Sequence, residues 1–304
     1  MIQHQVHRVK SIAEFHKMKG LPAPQHPLIS LFNYASFECS EEINYKNFVF
    51  DFYHISIKRS IDAKFKYGQS HYDFDDGVMF FIAPNQVFGI EKISEIATTK
   101  SGWVLMLHPD FLWNTPLAKN IHRYDFFNYA VNEALFLSEK EEATLNSIVT
   151  NIEQEYNANL DSFSQNIIIS QLETLLNYSE RFYQRQFITR KVRNHEILDK
   201  VETTIRDYFN NENTTGLPSV QYIADVLNLS PMYLSSMLKS LTGLTTQQHI
   251  HEKLIETAKE KLSTTKLTVS EIAFQLGFEH SQSFSKLFKN KTSLSPVEFR
   301  SSFN

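Results

Sequence analysis

Apolar and polar positions follow three textures along the 304-residue chain. Residues 1–27 are mostly polar, carry Pro22, Pro24 and Pro27, and read as an arm. From about 28 to 109 the apolar residues come in short runs: PLISLFNYAS, YKNFVFDFYHISIK, AKFKYG, GVMFFIAP, QVFGIEK and SGWVLMLHP. Gly68, Asp75-Asp76-Gly77, Pro84-Asn85 and Gly102 separate them. Short β-branched and aromatic runs broken by turn formers predict a small all-β sandwich or barrel.

Beyond residue 110 the spacing changes to three and four. Ser138 with Glu141 forms a capping box ahead of Leu145, Ile148, Ile152 and Tyr156, which predicts a helix over 139–157. Ser162 with Gln165 opens a second helix, to 186, carrying Ile168, Leu172, Leu175, Leu176, Ser179, Phe182 and Tyr183. The segment 188–194 is locally basic, lacks apolar periodicity and reads as a linker. From 195 to 304 nearly everything has helical periodicity. The fold class is therefore α+β: domain 1–187 (arm 1–27, strands 28–109, helices 110–187), linker 188–194 and an all-α domain 195–304.

The last 90 residues contain one pattern twice. In 219–243 a short helix places Ile223, Ala224 and Leu227 on one face, and Asn228-Leu229 makes the turn. Ser230 caps the next helix with Pro231 in its first turn, where a missing N–H costs nothing. Leu234, Met237, Leu238 and Leu241 face inward, and Gly243 suits a left-handed C-terminal cap. The outer face holds Met232, Ser235, Ser236 and Lys239. In 268–293 Thr268 and Glu271 form a capping box, and Ile272, Ala273 and Leu276 repeat the first face at an offset of 49 residues. Phe284, Phe288 and Lys289 repeat Leu234, Leu238 and Lys239 at an offset of 50, so the turn at Gly277-Phe278 has gained one residue. Its outer face holds Ser281, Gln282, Ser285, Lys286 and Lys289. Each copy reads as a helix-turn-helix. The stretch 246–262 between them, about 25 Å long as a helix, can set two recognition helices one turn of B-DNA, about 34 Å, apart.

Composition narrows the classes. The 25 Phe and 13 Tyr supply core area, and the single cysteine, Cys39, excludes an intramolecular disulfide framework. Cys39 reads as a small buried hydrophobe. No run approaches the roughly 18 apolar residues of a spanning helix, and MIQHQVHRVKSIAEF has no signal-peptide core, so the expected location is cytoplasmic, without membrane contact. No glycine lies in a GxGxxG or GxxxxGK[ST] pattern. The net charge of −4 is unevenly divided: residues 1–187 hold 16 Lys+Arg against 22 Asp+Glu, residues 188–304 hold 14 against 12. This weak contrast points in the direction of a nucleic-acid partner for the second part.

The motifs IAxxLxLSPxYLSxMLKxxTG (223–243), EIAxxLGFxxxxxFSKLFK (271–289) and SPxEFR (295–300) make residues 195–304 resemble the DNA-binding domain of AraC/XylS-type bacterial transcription regulators. The family usually has glycine where Ser293 stands, which places the cap of that helix in question. The resemblance implies a non-enzymatic, sequence-specific regulator or activator, with double-stranded DNA as its partner. It puts base contacts at Met232, Ser235, Ser236, Ser281, Gln282 and Lys286, the same outer faces that spacing picks out. Gln pairs bidentately with adenine and Lys donates to guanine, whereas hydroxyls and a methionine discriminate less. Lys239 and Lys289 read as phosphate contacts. Arg300 reads either as another phosphate contact or as a cap of its own helix.

The resemblance also implies that the N-terminal domain is a cupin-like β-barrel with flanking helices that senses a small-molecule effector and forms a homodimer, with RNA polymerase as a further partner. GVMFFIAPNQVFGIE resembles the family's central hairpin. Metal-binding cupins use an HxH pair and later ligands; here Asp73 follows His71 and Phe88 stands where a second His is expected, so no metal or other cofactor is expected. Tyr53, His54, His71, Tyr72, Trp103 and His108 are candidate pocket residues, against the plainer reading of aromatic core and surface histidines. His249 and His251, two apart on a helix, read as structural. The competing function is a small-molecule-binding or enzymatic cupin with an accessory helical domain. That reading needs a metal cluster or a triad, and the chain has neither GxSxG nor paired metal histidines.

Overall fold

The computed structural model describes residues 6–36, 47–59, 77–89, 101–130, 133–158, 163–189, 191–211 and 216–302. The chain divides into two compact units, Met1–Gln186 and Phe187–Asn304.

The described elements of the first unit are β1 (Val6–Val9), α1 (Ile12–Met18), β2 (Ile29–Asn33), β3 (Asn47–Phe50), β4 (Tyr53–Arg59), β5 (Val78–Ile82), β6 (Val87–Gly89), β7 (Ser101–Leu107), α2 (Pro116–Asn120), β8 (Leu135–Phe136), α3 (Glu139–Asn157) and α4 (Ser164–Thr189). They build a three-stranded sheet, β1-β3-β6, and a five-stranded antiparallel sheet, β2-β7-β4-β5-β8. Phe48, Phe50 and Phe88 of the first sheet pack with Ile82, Val104 and Met106 of the second in one core. The opposite face of the five-stranded sheet meets the helices: Phe81 lies against Phe126 and Tyr183, and the Trp103 indole N–H donates to Asn146 at 2.9 Å. Among the described residues the two sheets stay open and close no barrel.

The arm expected over 1–27 is corrected. β1 pairs in parallel with β3, and Val9, Ile12, Phe15 and Leu21 are buried in the core between the sheets. Ser11 caps α1 by accepting from the Glu14 N–H at 3.1 Å. The expected linker 188–194 is corrected as well. Helix α4 runs to Thr189 and α5 (Lys191–Asn210) begins two residues later. Buried Asn194 donates its side-chain amide to the carbonyl of Phe187, which ties this stretch to the second unit. The capping box of α3 forms as expected, Glu141 accepting from both the N–H and the hydroxyl of Ser138. Ser162, the run AKFKYG, Cys39, His71, Tyr72 and Asp73 lie outside the described residues.

The second unit continues with α6 (Val220–Leu227), α7 (Pro231–Thr242), α8 (Thr246–Thr264), α9 (Val269–Gln275), α10 (Ser281–Thr292) and α11 (Pro296–Ser301). Among the described residues no helix is long and apolar enough to cross a membrane.

Candidate nucleic-acid interface

Two helix pairs, α6–α7 and α9–α10, are joined by α8, which at 19 residues is about 28 Å long. Local chemistry sets each boundary. Ser219, Ser230, Thr268 and Ser295 accept from backbone N–H groups three residues on, and Thr245 with Gln248 closes a capping box on α8. Asn228 ends α6 at φ 54° and Gly243 ends α7 at φ 80°, both left-handed.

The inward faces are as the spacing predicts. Ile223, Ala224, Leu234, Met237 and Leu238 are buried in the first pair, whereas Leu227 and Leu241 are only partly covered. In the second pair Ile272, Ala273, Leu276, Phe278, Phe284 and Phe288 share a core with Leu254, Ile255, Ala258 and Leu262 of α8. Phe288 stacks edge-on against Phe299 of α11, 5.4 Å between ring centroids. The paired alanines let the short first helices approach closely.

The outward faces carry the candidate contacts. On α7 Met232 and Lys239 are exposed and Ser235 and Ser236 partly so. On α10 Gln282, Lys286 and Lys289 are exposed and Ser281 partly so. Lys239, Lys286 and Lys289 make no hydrogen bond or ion pair within the described residues. Each helix thus presents polar groups on one side and a closed core on the other.

Arg300 stands apart from this face. Its Nε donates to the carbonyl of Leu262 at 3.1 Å, in the last turn of α8, and its Nη2 is buried without a partner. The guanidinium therefore fastens α11 to the end of the connecting helix. It caps a neighbouring helix, an arrangement that spacing alone did not suggest. His249 and His251 have structural partners: Thr242 Oγ1 at 2.9 Å and the Gln247 amide at 2.9 Å. Burial lowers both imidazoles below their ordinary range, with Lys291 adding to the effect at His251.

Ser293 ends α10 at φ 64°, in the left-handed region. A side chain there costs about 1 kcal/mol relative to glycine. Ser293→Gly should therefore raise the thermal midpoint of this unit by a few degrees, measured by circular dichroism melting. An unchanged or lower midpoint would show that the serine has an offsetting contact.

The four N-terminal pocket candidates among the described residues, Tyr53, His54, Trp103 and His108, do not converge. Tyr53 packs edge-on against Phe127, and Trp103 bonds Asn146, both on the helix-facing side. His54 lies on the opposite, inter-sheet face, and His108 accepts from the Asp110 N–H at the start of a 3-10 turn. Phe88 is a core ring stacked on Phe48. Among the described residues no group of three His, Cys, Asp or Glu side chains could hold a metal ion.

The family description "Helix-turn-helix domain" matches residues 223–302. Over 103 residues the chain is 35% identical to the HTH-type transcriptional activator RhaS of Enterobacter sp. (strain 638), covering 34% of this chain and 35% of that one. Over 81 residues it is 37% identical to the Msm operon regulatory protein of Streptococcus mutans serotype c, 27% of this chain and 29% of that one. The matched stretch spans about a third of the length of these relatives. The C-terminal domain of AraT, a response regulator from Geobacillus stearothermophilus, is 29% identical over 35% of this chain and 84% of that one, with a TM-score of 0.31. With the doubled helix-turn-helix already described, the family match identifies residues 223–302 as a helix-turn-helix domain, similar in sequence to the matched part of these two transcription regulators.

Proposed function

We propose that the chain is a sequence-specific, non-enzymatic transcription regulator of the AraC/XylS type that acts on double-stranded DNA in the cytoplasm. One observation carries this reading: two independently capped helix-turn-helix pairs each turn an exposed polar stripe outward from a closed apolar core. On this reading α7 and α10 enter successive major grooves. Met232, Ser235 and Ser236 of α7 and Ser281, Gln282 and Lys286 of α10 meet base edges. Lys239 and Lys289 meet phosphates, and Arg300 contributes by holding α11 in place. The two-sheet N-terminal unit serves as a cupin-like domain that senses a small molecule or pairs with a second copy, and RNA polymerase is the downstream partner.

A binding-site selection on the full chain tests the assignment. Gln282→Ala should relax preference at one or two base pairs, worth about 1–3 kcal/mol per lost bidentate contact. Lys289→Ala should weaken all sequences equally and reduce the salt slope by about one. Ser235→Ala should do less than either. If Gln282→Ala leaves the selected motif intact while Ser235→Ala rewrites it, α7 is the principal reader and the assignment is wrong.

A further inference from the structure

The two helix-turn-helix pairs repeat in sequence but differ in the material of their cores. The second pair is aromatic. Phe278, Phe284, Phe288 and Phe299 form one run of ring contacts, with 5.5, 5.7 and 5.4 Å between successive centroids. The corresponding positions of the first pair hold Leu229, Leu234, Leu238 and His249. Three leucines and a histidine fill less space than four phenylalanines, and the His249 ring is engaged with the Thr242 hydroxyl. Leu227, Leu229 and Leu241 are left only partly covered.

The first pair takes an aromatic contact from outside the repeat. Tyr233 of α7 is buried, where α10 has the exposed Ser283. Its ring meets that of Phe187 edge-on, 5.2 Å between centroids and 76° between planes. Phe187 is buried as well; it lies in the last turn of α4 and is the first residue of the second unit. Its backbone is held from α5, whose buried Asn194 donates to the Phe187 carbonyl. Helix α5 in turn packs on α6, α7 and α8.

Tyr233 stands between Met232 and Ser235 in sequence and faces inward from the side that carries them. A side chain gripped there fixes the rotation of α7 about its own axis, and so moves Met232, Ser235 and Ser236 as one. We propose that Phe187 is a positioning residue for the first recognition helix. Packed on Tyr233, it holds α7 at the rotation that presents Met232, Ser235 and Ser236 to base edges, while α10 is held by its own ring contacts. The two halves of a DNA site are then supported separately, one of them by a residue that precedes the repeat and touches no DNA. This proposal rests on the DNA-reading role given above.

The test uses the full chain and compares Phe187→Ala with Phe187→Leu. Alanine removes the ring and leaves a cavity that its surroundings fill only in part, whereas leucine keeps most of the apolar volume. Amide hydrogen exchange reads the support without DNA. Phe187→Ala should speed exchange across α7 at least about tenfold and leave α10 within about twofold. Fluorescence anisotropy then compares a selected operator with two duplexes, each scrambled in one half-site. Phe187→Ala should weaken binding about tenfold, the size of one lost base contact, wherever the α7 half is intact, and by less than about twofold where it is scrambled. Phe187→Leu should restore most of both losses. If Phe187→Ala does not fold, Phe187→Val should show the same contrast at smaller amplitude. The proposal is overturned if exchange in α7 is unchanged, if it rises equally in α7 and α10, or if the affinity loss is the same whichever half is scrambled. Should the unmodified chain bind no selected duplex, the DNA-reading role falls, and exchange still decides whether Phe187 supports α7.

Discussion

Gly277→Ala should abolish the second helix-turn-helix. Gly277 turns the chain between α9 and α10 at φ 89°, where a side chain is strained by about 1–2 kcal/mol. The larger effect is contact. A Cβ there would lie 2.1 Å from the Gly216 carbonyl oxygen and 2.3 Å from its carbon. Both are backbone atoms and cannot swing aside as a side-chain end would, so two loops must separate. Overpacking costs typically 1–3 kcal/mol even where side chains can shift; with strain the sum is about 2–5 kcal/mol, a large part of the roughly 5–15 kcal/mol that holds a domain folded, and backbone atoms that cannot shift raise it further. The expected result is loss of the cooperative melt of residues 187–304 and of DNA binding together. Gly243→Ala is the control: Gly243 has the same handedness, φ 80°, but nothing lies within 4 Å of its Cβ position, so only strain of about 1 kcal/mol applies. If the two variants melt alike, the close approach of Gly277 to Gly216 does not limit stability.

DNA affinity of the full chain should fall steeply with salt. Lys239 and Lys289, the proposed phosphate contacts, are exposed on the outward faces and make no ion pair among the described residues. Two cations brought to phosphates displace about two counterions' worth of charge, for a slope near −1.8 in log affinity against log salt. Raising salt from about 50 to about 200 mM should then weaken binding roughly twelvefold. Fluorescence anisotropy with one operator across that range measures the slope. A flat response would mean these lysines do not approach phosphates, and the groove-facing assignment would fail with it.

The second unit was legible because its signals are local. Ser230-Pro231 and Thr268 with Glu271 each mark a helix start within four residues, and each start lies where those residues place it. Six candidate base contacts fell on the two outward faces because a 3.6-residue period fixes which residues share a side. What escaped depends on distant partners. β1 exists through parallel pairing with β3, some 40 residues on, and four residues of an otherwise polar stretch do not announce it. The Ser11–Glu14 cap was the available clue to α1. The helical run through 188–194 relies on Asn194 reaching back to Phe187, a contact no apolar period encodes. Arg300 was ambiguous because only the fold shows that Leu262 offers its carbonyl nearby.

The two recognition helices are finished differently. α7 begins with a serine cap and a proline and ends in glycine; α10 begins at His280, whose side chain makes no cap bond, and ends in a left-handed serine. Only the first turn differs in its bonding: both C-termini are closed alike, by the N–H of Gly243 on the Lys239 carbonyl and that of Ser293 on the Lys289 carbonyl, each at 2.9 Å. Amide protons in the first turn of α10 should therefore exchange with solvent sooner than those of α7. On the proposed reading that turn, which carries Gln282, must be stilled each time it enters a groove, and the lost freedom is subtracted from its grip.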